Sequence, residues 1–213
     1  MVMVLYHDAQ LYDQDLKLFT QNAWLNDAAI NFYLTMIYHE MVHGRDDVLL
    51  MDPAVVSCMM LQCDDEEDLL DLAHGLQLQF KKMILLPVND RENFDSQGSH
   101  WALLVYHQQT KSYKFYDSSN NHNLQSAREV AQVLDKALGT KSRHIEIECP
   151  ACPQQRNGVD CGMYVCLIAE WLSIRYATND QSPVETLENY VSPQKIRHVR
   201  KAMPNIVASL ITT

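Results

Sequence analysis

The stretch Cys161-Gly162-Met163-Tyr164-Val165-Cys166-Leu167-Ile168-Ala169, continued by Trp171 and Leu172, is apolar on nearly every side once wound as a helix. Such a helix belongs in an interior, so the other elements of the chain must pack around it. The run before it, Pro153 to Asp160, is polar and carries the turn dipeptide Asn157-Gly158. The expected arrangement is a loop that delivers Cys161 onto the first turn of a buried helix. A thiol there faces unpaired backbone N–H groups and the positive end of the helix dipole. Both favour the thiolate, which is the reactive form. Cysteine also packs as a small hydrophobe, so this residue alone reads equally well as nucleophile or as core.

The chain has 213 residues, enough for one domain (1–213) with a full core. Its 47% hydrophobic and 21% charged content is ordinary for a globular protein. No apolar stretch approaches the ~20 residues that a membrane span requires. Met1 to Asp8 lack the basic flank and small-residue cleavage site of a secretory leader. Six cysteines do not make a disulfide framework, and a reducing compartment is expected. The net charge of −10 argues against nucleic acid and anionic membranes as partners and suits a partner with basic groups. The acidic run Asp64, Asp65, Glu66, Glu67, Asp68 and Asp71 reads as an exposed helix N-terminus.

Residues 1–23 are expected to be mostly irregular. Asn26 or Asp27 would cap a helix reaching about His43, with the apolar stripe Ile30, Tyr33, Leu34, Ile37 and Met41. Val48–Met51 reads as a short extended segment. Pro53 suits the first turn of a helix, and the acidic run opens another. Met83–Val88 reads as a central strand with Pro87 at its end. A polar loop from Asn89 to Ser99 leads to a strand at 100–107, a turn at 108–111 and a returning strand at 112–117. A helix at about 124–138, an edge strand at 143–148 and two helices near 183–190 and 193–210 complete an α+β chain, with a small central mixed sheet flanked by helices.

A cysteine nucleophile needs a base in reach and something to orient that base. An even-length turn at Gln108–Lys111 places Asp117 opposite Ala102, and Ala102 shares a sheet face with His100. His100 and Asp117 then become diagonal neighbours on one face. The roles that follow are Cys161 as nucleophile, His100 as base and later acid, and Asp117 as the group holding the imidazole tautomer. The oxyanion of an acyl transfer would meet the Cys161 N–H and a glutamine side chain, with spacing leaving Gln154 and Gln155 open.

Four segments then carry a resemblance: Trp24-Leu25-Asn26-Asp27, Gly98 to Tyr106, Tyr116-Asp117-Ser118, and Gln154-Gln155 through Cys161-Gly162-Met163-Tyr164. In this order they resemble the Ulp-type, sentrin-specific cysteine proteases of ubiquitin-like modifiers. The resemblance implies a papain-like α+β catalytic domain, assigns the oxyanion glutamine to Gln155, and points to the deneddylating branch. The implied activity is processing of the neddylation modifier after its Gly-Gly end and its removal from lysines of conjugates such as cullins. A monomer without cofactor is expected, and the resemblance together with the cysteine usage places it in cytoplasm and nucleus. It puts Trp24, Asn26, Asp27, Asn89 and Asp90 on the extended modifier tail, with Trp101 roofing a slot that admits only Gly-Gly. Strict strand alternation, however, points Trp101 away from the face of His100.

Other readings compete. His39-Glu40-Met41-Val42-His43 matches a zinc-protease helix pattern, but both histidines lie opposite the apolar stripe at a helix end, so no metal site is expected. Cys149-Pro150-Ala151-Cys152 lacks a second half-site of suitable spacing. A non-catalytic binder of ubiquitin-like proteins would not be expected to keep Cys161, His100, Asp117 and Gln155 together. A protease directed at SUMO or ubiquitin keeps the chemistry and changes only the modifier.

Overall fold

The computed structural model of the chain describes residues 2–42, 44–63, 65–140, 145–178 and 185–211. In chain order the elements are β1 (Val2–Tyr6), β2 (Ala9–Tyr12), α1 (Asp13–Thr20), α2 (Asp27–Met41), β3 (Val48–Leu50), α3 (Pro53–Leu61), α4 (Glu66–Gly75), β4 (Met83–Asn89), β5 (Trp101–His107), β6 (Ser112–Tyr116), α5 (Leu124–Ala137), β7 (Ile147–Glu148), α6 (Cys161–Ala177), α7 (Leu187–Tyr190) and α8 (Pro193–Ile211). Contacts divide them into two units, one from residues 1–44 and 152–213, the other from residues 45–151.

The 45–151 unit is built on a five-stranded sheet in the order β3-β4-β5-β6-β7. The β3/β4 and β6/β7 pairs are parallel and the β4/β5 and β5/β6 pairs antiparallel, which makes the sheet mixed. Every residue of β4 from Met83 to Val88 is buried, as its unbroken apolar run requires of a strand covered on both faces. Alternate residues Ile84, Leu86 and Val88, Ala102, Leu104 and Tyr106, and Tyr113 and Phe115 share one core cluster with Ala127, Val130, Ala131 and Leu134 of α5. Pro87 does not end the strand as expected; β4 continues to Asn89. The reason lies in its neighbours: β3 pairs with β4 only as far as Leu85, so Pro87 stands where that side of the ladder has already stopped. Of the expected edge strand at 143–148, residues 143 and 144 lie outside the described residues, and Ile147–Glu148 pairs beside β6.

In the other unit, every residue of α6 from Cys161 to Ala169 is buried, matching the all-round apolar sequence of that stretch. It packs on α2, whose buried residues include Ile30, Tyr33, Leu34 and Ile37 from the expected stripe. Gly162 permits this contact, since a Cβ there would come 3.3 Å from Ile30 Cδ1 of α2 and 2.9 Å from Cβ of Leu25, just before that helix. Residues 1–23 depart from the irregular chain expected of them: β1 and β2 form an antiparallel hairpin, and α1 follows directly. The turn between Tyr6 and Ala9 places His7 at φ 53, a left-handed position usually marked by Gly or Asn. His7-Asp8 lacks the Asn-Gly or Asp-Gly dipeptide that most strongly announces a two-residue hairpin.

Candidate active site

The hairpin β5–β6 sets the first pair. Leu103 lies opposite Tyr116 and His107 opposite Ser112, the register that an even turn imposes. His100 stands one residue before β5 and Asp117 one residue after β6, so continuing that register brings them diagonally together. His100 Nε2 lies 2.6 Å from Asp117 Oδ1. The two residues are 5% and 1% exposed, so the pair is shielded from water. Asp117 Oδ1 also accepts the Ser119 N–H at 2.7 Å, and Oδ2 accepts the Asn123 N–H at 3.0 Å. Burial pushes the Asp117 carboxyl up, but the bonds from His100, Asn123 and Ser119 outweigh it and hold the group below its usual range. A charged carboxylate can only accept, so the Nε2 proton belongs to the ring. Proton exchange then falls to Nδ1.

The loop from 89 to 99 closes on the backbone of His100. Asp90 Oδ1 accepts the N–H of Ser99 at 2.6 Å and of His100 at 3.0 Å, and Oδ2 accepts the Ser99 hydroxyl. Partial burial opposes ionisation of Asp90, yet these bonds hold its carboxyl below the usual range. Asn89 Oδ1 accepts the Arg91 N–H at 2.9 Å. Gly98 is required here: its φ is +67, and a Cβ would fall 1.9 Å from Asn89 Oδ1. Both Asn89 and Asp90 therefore direct side-chain oxygens into their own loop. Trp101 is 1% exposed, with the Arg91 guanidinium 5.5 Å from its ring centre. The His122 ring meets that of His100 edge-on at 5.4 Å.

In the other unit, Asn26 takes the N-cap of α2, its Oδ1 accepting the Ala29 N–H at 3.0 Å and its Nδ2 donating to Asp15 at 2.8 Å. Asp27 is the first residue of the helix, and Trp24 and Asp27 are both half-buried. Cys161 opens α6 and is 1% exposed. The loop before it is held by Asn157, whose Oδ1 accepts the N–H groups of Val159 and Asp160 at 3.0 Å each. The Gln155 amide donates to Asn157 O at 2.7 Å, and that of Gln154 to Cys152 O at 2.9 Å. His39 stacks on His7 with ring centres 3.3 Å apart, and His43 lies outside the described residues. Among the described residues no three His, Cys, Asp or Glu side chains are grouped to hold a metal ion.

Two residues were missed by the sequence reading. Asn123 touches both His100 and Asp117. Arg200 is 2% exposed and holds the loop before Cys161: its Nε donates to Asp160 Oδ1 at 3.0 Å, and one terminal nitrogen donates to Val159 O at 3.2 Å. It also donates to Leu18 O at 2.9 Å and to Ala23 O at 3.1 Å, just before Trp24. A signal existed, because Arg200 shares the helical stripe of the buried Ile196, Met203 and Val207. A cation on such a stripe must be paired. Arg200→Met, which strands Asp160 and three carbonyls, is expected to lower the free energy of urea unfolding by about 3 kcal/mol. A loss under about 1 kcal/mol would make this cluster a minor surface feature.

Residues 23–203 match the Ulp1 protease family, C-terminal catalytic domain. The chain belongs to the Ulp1 protease family. It is therefore a cysteine protease, with the α+β architecture of that family. Mouse sentrin-specific protease 8 is 31% identical to it over 211 residues, covering 98% of this chain and 93% of the mouse protein. NEDD8-specific protease 1 of Arabidopsis thaliana is 29% identical over 214 residues, covering 97% of this chain and 92% of that protein. The solved Ulp1 protease domain in complex with Smt3, the yeast ortholog of SUMO, superposes with a TM-score of 0.72 at 16% identity, covering 100% of this chain and 89% of that one. A SUMO protease Ulp1 whose catalytic cysteine is oxidised to a sulfenic acid gives 0.71 at 18% identity, covering 98% and 88%.

Proposed function

We propose that the chain cleaves after the C-terminal Gly-Gly of a ubiquitin-like modifier, with the neddylation modifier preferred. It would mature the precursor of that modifier and release it from lysines of conjugates such as cullins, acting as a monomer in cytoplasm and nucleus. The names of its full-length relatives among NEDD8-specific and sentrin-specific proteases support the substrate. The six free cysteines support a reducing compartment. The observation that carries the chemistry is the buried His100–Asp117 pair, a base already oriented by a charged carboxylate.

In this reading Cys161 is the nucleophile. Its thiolate attacks the carbonyl carbon of the last glycine, forming a C–S bond and moving the carbonyl electrons onto oxygen. The Cys161 N–H and the Gln155 amide stabilise that oxyanion. The C–N bond then breaks, and the leaving amine takes the proton held on His100 Nδ1. Water attacks the resulting thioester, His100 accepts its proton, and the carboxylate product leaves with the thiolate restored. Asp117 keeps the imidazole in one tautomer throughout. Trp24, Asn26, Asp27, Asn89, Asp90 and Trp101 would line the path of the tail. Glycine lacks a Cβ, so a Gly-Gly backbone passes where other residues clash.

A SUMO-directed protease of the same chemistry is the second reading, favoured by the fold similarity to SUMO proteases. Side-by-side hydrolysis of NEDD8, SUMO and ubiquitin carrying C-terminal fluorophores separates the two. The expected result is a kcat/KM for NEDD8 at least about tenfold above the others, roughly 1.4 kcal/mol of discrimination. A preference for SUMO would replace the substrate and leave the chemistry standing.

A further inference from the structure

Asn123 occupies the N-cap position of α5 and makes no side-chain cap bond. An asparagine there ordinarily accepts a first-turn N–H and steadies its helix. Here Oδ1 is buried with no hydrogen-bond partner among the described residues, an arrangement that costs further stability. The side chain is instead turned so that Nδ2 donates to the carbonyl of His100 at 2.9 Å and, more weakly, to that of Val88 at 3.4 Å. The Asn123 backbone N–H donates to Asp117 Oδ2 at 3.0 Å. One residue, 1% exposed, thus holds the backbone of the base and the carboxylate that orients it. Local rules broken at this cost gather at functional sites.

The position of His100 explains the need. It precedes β5, whose ladder to β4 begins at the Trp101–Asn89 pair, so His100 stands beyond the last paired residues. Asp90 holds its N–H, and Asn123 holds its carbonyl. With both flanking peptide groups tied, the imidazole starts from a fixed Cα and meets Asp117 without searching. The geometry points to Asn123 as a positioning residue of the hydrolysis: it sets the His100 backbone through Nδ2 and secures Asp117 through its N–H. This rests on His100 and Asp117 acting in the proposed reaction and is independent of which modifier is cut.

The test compares Asn123→Ser and Asn123→Ala in the full chain. Serine is an equally favoured N-cap, but its side chain is one atom shorter and cannot make the amide's donation to His100. Each variant is titrated with a modifier probe carrying an electrophilic C-terminus, and kcat is expressed per titrated site. For Asn123→Ser the expected result is a thermal midpoint within about 2 °C of the parent, KM within about twofold, and kcat lower by about 10- to 100-fold, the scale of a 1 Å misplacement. Asn123→Ala should lose kcat similarly and some stability as well. A kcat per site within about twofold of the parent in the serine variant overturns the assignment. So does a loss of kcat that follows the loss of thermal stability in both variants, because Asn123 would then serve folding alone. A parent enzyme that cleaves none of the tagged modifiers would instead sink the proposed function.

Discussion

Cys161→Ala is expected to abolish cleavage of a tagged modifier while leaving its binding within about twofold of the parent. The two effects separate because, in the proposed reaction, the thiol makes a bond and contributes little contact area to a partner that buries on the order of 800 Å² per side. Removing the nucleophile from such a catalytic set costs about 10^6-fold in kcat. Cys161 is the first residue of a helix whose next nine residues are all buried, and alanine is a good helix former of smaller volume. The variant should therefore fold, and calorimetry with the intact modifier checks binding while the fluorogenic substrate checks turnover. Residual turnover above about 1% of the parent would remove Cys161 from the chemistry.

The second large effect belongs to Asp117→Asn. In the parent, the two oxygens of Asp117 accept from His100, Ser119 and Asn123. Asparagine has only one acceptor oxygen and presents an NH2 from the other atom. That NH2 either faces a backbone N–H or forces the imidazole to accept at Nε2, which moves the ring proton to Nδ1. Either outcome spoils the base, and a fall in kcat of about 10^3- to 10^4-fold is expected. An unchanged rate would remove Asp117 from the mechanism. The pH dependence has a definite sign. Because the folded pKa of Asp117 is lowered, its contribution is present above the ordinary carboxylate value of 3.8 and is lost only as pH falls through the lower folded value. Activity lost on mild acidification must come from another group, and the parent and Asp117→Asn profiles measured side by side would show this.

The His100–Asp117 pairing was legible in the sequence because strand alternation and turn parity are rigid rules: once the loop at 108–111 is even, the register has no freedom left. The buried character of α6 was equally legible, since its apolar residues leave no face for water. What escaped detection had a different physical origin. The β1–β2 hairpin turns on His7 in a left-handed conformation, supported by pairing across the strands rather than by a turn residue. Pro87 sits inside β4 because β3 is short, a fact about a neighbour and not about β4. Asn123 looked like one polar loop residue among several, and its role depends on a side-chain rotamer that no pattern encodes. Arg200 alone could have been found earlier, as a charge on an apolar stripe.

The most direct measurement is labelling the native enzyme with a modifier probe bearing an electrophilic C-terminus, followed by mapping of the adduct. Two of the competing thiols are disfavoured as thiolates: burial, aided by Glu170, pushes the Cys166 thiol well up, and burial also raises that of Cys149. The account predicts a single adduct on Cys161, formed fastest with the neddylation modifier and strongly slowed by Asp117→Asn. An adduct on any other cysteine, or an enzyme that cleaves the modifier while its thiols are alkylated, would contradict it.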